Sequence, residues 1–154
     1  IQASRESVGL APWNHNIHYH PLLLDALPRD TRRVLDVGCG DGMLAADLVD
    51  HGVAEVVAID VDAPVLGRAR KRHAGRPIAW LEGDFMTEPF ERGSFDAVLS
   101  VAMLHHLDME SALRRCADLV RPGGVVGVVG LAAFDWRDLP HELAGAVATR
   151  LPVR

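Results

Sequence analysis

The nine residues Val34–Gly42, VLDVGCGDG, join a β-branched apolar run to a glycine-rich turn, and the residues that follow, MLAADLVD, have helical spacing. A strand that ends in small residues and feeds a helix lets a ligand approach the backbone and leaves the first helical N–H groups free to receive it. Loops of this kind serve many nucleotide-binding folds, so the neighbouring segments decide what this one means.

Working outward, VVAID (Val56–Asp60), IAWLEG (Ile78–Gly83), FDAVLS (Phe95–Ser100) and VVGVVGL (Val125–Leu131) read as four more strands. The first, second and fifth strands are nearly all apolar, which suits a parallel sheet covered on both faces. Between them, helical patterns run from Gly42 to Asp50, from an N-cap at Asp62 with Pro64 in its first turn to Gly75, and from Asp108 to Val120. The last of these ends at an RPGG turn, Arg121–Gly124. The cationic run Arg70–His73 sits near a helix C-terminus, where it complements the dipole as a solvated face.

This alternation predicts an α/β chain with a doubly wound, Rossmann-like parallel sheet, helices on both faces and right-handed crossovers. The ligand crevice belongs at the carboxyl ends of the strands, at the switch point beside the first strand. Residues 32–134 form the α/β core of a single domain, with a lead-in over 1–31 and a helix or tail over 135–154.

The chain has 154 residues, of which 49% are hydrophobic and 24% charged, enough apolar side chain for a packed core and too much for a disordered chain. With 16 Lys+Arg against 21 Asp+Glu and a net charge of −5, it lacks the basic footprint of a protein that grips long nucleic acid, and no nucleic-acid partner is expected. The apolar run Val125–Phe134, broken by Gly127 and Gly130, falls well short of the roughly 20 residues a membrane span needs. Neither a secretory leader nor a disulfide framework is visible, since Cys39 and Cys116 are the only cysteines, and a cytoplasmic setting is expected.

Three carboxylates give the crevice its character. Asp36 lies inside an otherwise apolar strand, where its charge is costly unless a cation or backbone N–H groups pair with it. Asp60 ends the second strand about 20 residues past the glycines, where an acidic side chain can accept both ribose hydroxyls. Asp84, in GDF, offers an acceptor for an exocyclic amine with Phe85 beside it, and could equally serve as a turn or capping residue. A ligand matching all three carries an ammonium, a ribose and an adenine, as S-adenosylmethionine does. A dinucleotide's pyrophosphate would be repelled by Asp36 and Asp41 on either side of the glycines.

In this order and spacing, VLDVGCGDG, VVAID, GDF, FDAVLSVAMLHHL and RPGG resemble the signature segments of class I S-adenosylmethionine-dependent methyltransferases, over about Arg32 to Leu131. The lead-in WNHNIHYH, Trp13–His20, is similar to that of a bacterial subgroup acting on small molecules. The resemblance implies that Gly38 and Gly40 approach the methionine part, Asp60 holds the ribose, Asp84 and Phe85 frame the adenine, and Ser100 to Ala102 form the floor. The full candidate cofactor-contacting set is Asp36, Gly38, Cys39, Gly40, Asp60, Val61, Gly83, Asp84, Phe85, Ser100, Val101 and Tyr19. The expected acceptor is a small molecule.

Methyl transfer from a sulfonium needs alignment more than acid–base help. If the nucleophile is protic, His105 or His106 just past the fourth strand is the candidate base, His105 preferred. His15, His18 and His20 lack the spacing of a metal site, because neither a helix nor a strand puts all three on one face, and no metal is expected. Trp13 and Tyr19 suit either a lid or packing against the sheet.

The family's sheet ends in an antiparallel hairpin for which Ala132–Arg154 shows no signal. The fifth strand is therefore expected to leave an apolar edge, a route to homo-oligomers. A cofactor-binding module without turnover is the first alternative function. A nicotinamide-dependent oxidoreductase is the second, and Asp36, Asp41 and Asp84 argue against it.

Overall fold

The computed structural model describes residues 15–130. Five strands, β1 (Arg33–Val37), β2 (Glu55–Asp60), β3 (Ile78–Glu82), β4 (Phe95–Val101) and β5 (Val120–Val129), form one sheet in the order β3-β2-β1-β4-β5. Every pairing is parallel, with Val34 opposite Val56 and Ala97, and Ala58 opposite Trp80. Four helices accompany them: α1 (His20–Asp25), α2 (Met43–Asp50), α3 (Ala63–Arg72) and α4 (Met109–Leu119).

The two-residue period of the strands sorts their side chains into two cores. Val34, Val56, Ala97 and Leu99 meet Leu23 of α1, Leu44 and Leu48 of α2 and Leu66 of α3 on one face. Leu35, Val37, Val98 and Val126 meet Ala112, Cys116 and Leu119 of α4 on the other. The chain steps β1 to β2 to β3 with its helices on the first face, then β4 to β5 in the opposite direction with α4 on the second. A single hand of crossover requires that exchange of faces.

Local signals set the helix ends. Asp62 caps α3 by accepting from the Val65 N–H at 3.0 Å, and Asp108 caps α4 by accepting from the Ser111 N–H at 2.9 Å. The helix α3 ends at Arg72, short of the expected Gly75: the His73 N–H closes its last turn on the Ala69 carbonyl, and the chain then turns with the Arg76 N–H on the His73 carbonyl at 3.2 Å.

One segment differs from expectation. RPGG is a bulge inside β5 rather than a turn before it: β4 advances from Phe95 to Ala97 while β5 advances from Val120 to Val125. Gly124 is required there, since a Cβ would lie 2.4 Å from the Asp96 carbonyl. Of the two arrangements expected for the lead-in, residues 15–25 show packing. His15–Tyr19 form a 3₁₀ turn, and α1 then buries Leu23 in the first core, to 1% exposure. Among the described residues, the outer side of β5 has no strand partner. Trp13, Trp136 and the helix expected over 135–154 lie outside them.

Candidate active site

The carboxyl ends of β1, β2 and β4 and the loop after β3 surround one crevice. Its first part, a cleft of about 380 Å³, is lined by Asp36, Gly38, Cys39, Gly40, Leu44 and Val101, with Ile17 and His20 from the lead-in and Arg68 and Arg72 from α3. Its second part, about 450 Å³, is lined by Asp60, Val61, Gly83, Asp84, Phe85, Ala102, Met103 and His106. Gly38, Gly40, Val65 and Val101 border both, so the two are halves of a continuous site of cofactor size.

The glycine loop is shaped by β2. The Gly38 and Cys39 N–H groups donate to the Ile59 carbonyl at 2.9 and 3.1 Å, and the Gly40 N–H donates to Asp60 Oδ2 at 2.9 Å. This course puts Gly38 at φ +69° and Gly40 at φ +52°, in the left-handed region that glycine alone enters freely. A Cβ on Gly38 would fall 2.2 Å from Met103 Cγ. Met103 reaches that position because the chain leaves β4 through Ala102 at φ +53°, the only described non-glycine residue with positive φ.

Asp36 is 2% exposed, and its Oδ2 has no hydrogen-bond partner among the described residues. Burial raises its carboxyl from 3.8 to about 7, with the Ala45 N–H opposing and the negative charge of Asp60 adding to the rise. The expectation from sequence, a strand carboxylate short of a cation, matches this geometry. Asp60 is already anchored, its Oδ1 accepting from the Asp62 N–H at 2.9 Å, which fixes the carboxylate in the second half beside Gly40. Asp84 is a turn residue as well as a lining one, since its Oδ1 accepts from the Met86 N–H at 2.8 Å.

The remaining expected residues divide. Val61 and Gly83 line the second half and Val101 both. Phe85 touches the site but is 3% exposed and sits in the second core, so most of its ring is structural. Ser100 is buried, its Oγ donating to the Val37 carbonyl at 3.0 Å, and braces β4 on β1 without lining either half. Tyr19 packs against the first core and is not among the residues lining either half. Cys39 lines the first half at 8% exposure, and burial, with Asp36 and Asp60 nearby, pushes its thiol up, away from thiolate chemistry. His106 lies in the half with Asp84. The His105 side chain lies outside the described residues.

Sequence reading missed two features. Met103 closes over Gly38, a contact that depends on the unusual φ of Ala102. His20 is 4% exposed, lines the first half, and its Nδ1 lies 2.6 Å from Asp47 Oδ2 of α2. An acidic residue among the apolar positions of LAADLV was the available signal for that pair.

Residues 35–128 match the family model described as a methyltransferase domain. The chain belongs to the methyltransferase family. An uncharacterized methyltransferase of Mycobacterium tuberculosis is 53% identical over 138 residues, covering 89% of this methyltransferase chain and 70% of its own. A ubiquinone biosynthesis O-methyltransferase of Aromatoleum aromaticum is 38% identical over 70% of this chain and 49% of its own. The crystal structure of an S-adenosylmethionine dependent methyltransferase from Mesorhizobium loti is 27% identical, with a TM-score of 0.64 over 72% of this chain and 52% of its own. The chain thus spans about half the length of that solved structure.

Proposed function

We propose that this chain binds S-adenosylmethionine across both halves of the crevice and transfers its methyl group to a small-molecule acceptor. The observation that carries the reading is the buried, unpartnered oxygen of Asp36 beside the glycine loop. An ammonium answers it, and in the same crevice Asp60 offers acceptors to a ribose and Asp84 to an adenine amine. The residues present therefore fit this cofactor better than a dinucleotide, whose pyrophosphate meets Asp36 and Asp41 in the first half.

When bound, the cofactor supplies a methyl group already activated on a sulfonium. The protein's share is alignment: the glycine loop sets the depth of approach and Asp60 the rotation about the ribose. The named relatives support the same reading, since one methylates oxygen in ubiquinone biosynthesis by its name and another is S-adenosylmethionine dependent by its description.

Replacing Asp60 by Ala is expected to weaken binding of S-adenosylhomocysteine, the product, by about 1–3 kcal/mol, the range for hydrogen bonds to a charged group. Calorimetry on the folded variant checks this, and unchanged affinity would remove Asp60 from the site. Labelled methyl transfer across a panel of small hydroxyl, amine and carboxylate acceptors tests turnover; cofactor binding with no transfer to any would favour a non-catalytic module.

A further inference from the structure

The first half of the crevice contains a histidine that neither the glycine loop nor the cofactor carboxylates employ. His20 opens α1, is almost wholly buried, and is held through Nδ1 by Asp47 Oδ2 at 2.6 Å. The Asp47 side chain is 36% exposed, so its carboxylate stays hydrated on one side while it fixes the ring on the other. With Nδ1 engaged as a donor, Nε2 is the basic ring nitrogen, and His20 lines the same cleft as Asp36, Gly38 and Cys39. A carboxylate that orients an imidazole and stabilises its cationic form is the arrangement general-base catalysis uses. His106, by contrast, lies in the half that holds Asp84.

Resting on the methyl-transfer reading above, we infer that His20, oriented by Asp47, is the proton acceptor for transfer to a protic nucleophile that enters the first half of the crevice beside the bound cofactor. The acceptor's lone pair forms the new bond to the methyl carbon, the bond from that carbon to sulfur breaks with its electrons remaining on sulfur, and the acceptor's proton passes to Nε2. The resulting imidazolium is stabilised by Asp47 and returns its proton to water after product leaves. The acceptor class is thereby a hydroxyl, carboxylic acid, thiol or neutral amine carrying an N–H rather than a carbon nucleophile lacking an acidic proton. The groups that bear on His20 are Asp47 of α2, Asp36 of β1, Cys39 and Asp41 of the loop, and Arg68 and Arg72 of α3.

The test uses the full chain with isotope-labelled histidine and no acceptor, following the His20 ring by NMR in complexes first shown by calorimetry to form. Read at one fixed pH, the His20 ring resonances are expected to differ between the S-adenosylmethionine and S-adenosylhomocysteine complexes, because only the former places a positive sulfonium in the crevice, while those of His51 are expected to coincide. Asp47→Asn is expected to abolish the low-field Nδ1 proton signal of His20 that the carboxylate holds in the parent chain. Identical His20 resonances in the two complexes would overturn the inference and leave the functional reading standing. Failure of either ligand to bind would overturn the functional reading and this inference with it. A low-field His20 proton unchanged in Asp47→Asn would also overturn the inference.

Discussion

Asp36 is the residue on which chemistry and stability pull in opposite directions. Its carboxyl is raised by burial to about 7 in the folded chain, against 3.8 for an ordinary aspartate. Between those values the folded chain holds a proton that the unfolded chain has released. The stability contributed by this group therefore falls as pH rises through that window, and the penalty is complete above about 7. A bound ammonium favours the ionised form and expels the proton, so affinity for S-adenosylhomocysteine is expected to rise from about pH 5.5 to about pH 8. Asp36→Asn removes the penalty: its melting temperature at pH 8 is expected to exceed that of the parent, while its cofactor affinity falls and loses the pH dependence. Thermal denaturation and calorimetry at several pH values check both, and a pH-independent parent affinity would separate Asp36 from the ammonium. The need of Asp36 for a partner was legible in the sequence because a carboxylate inside an apolar strand has few solutions. The core packing of Tyr19 and the bond of Ser100 to the Val37 carbonyl were not legible, because one-dimensional proximity to a crevice does not say which way a side chain turns.

Among the elements, the bulge in β5 is the clearest departure from a local reading. RPGG carries every mark of a turn, yet Arg121 bonds Asp96 of β4 and reaches Asp30 at 3.2 Å. Asp96 also accepts from the Arg32 and Arg33 N–H groups at 2.7 and 2.8 Å, tying the start of β1 to the bulge. Burial works to raise the Asp96 carboxyl, but the Arg121 bond and the two backbone donors outweigh it and hold the group below the ordinary carboxylate range. Its contribution is thus complete above the ordinary aspartate value and is lost as pH falls through the folded one. Asp96→Ala is expected to destabilise the fold by about 1–3 kcal/mol at neutral pH and by less in acid, measured by denaturant titration. Equal losses at both would mean that packing, not charge, carries the effect. Strand and helix identities were readable because their apolar periods are local. The bulge was not, because its cause is a partner 25 residues away in sequence.

At the scale of the molecule, the alternation of strands and helices foretold the parallel sheet and the place of the crevice, since crossover handedness leaves few arrangements. The joining of two cavities at Gly38, Gly40, Val65 and Val101 could not be foretold, because it depends on how α3 and the lead-in close over the strand ends. Nor could the burial of His20 against Asp47, 27 residues apart in sequence. Everything proposed for the chain requires that this crevice bind S-adenosylmethionine. Calorimetric titration of the purified chain with S-adenosylhomocysteine, with NADH as the control, tests it most directly. Saturable one-to-one binding of S-adenosylhomocysteine and none of NADH is the predicted result; a folded chain that binds NADH and ignores S-adenosylhomocysteine would contradict it.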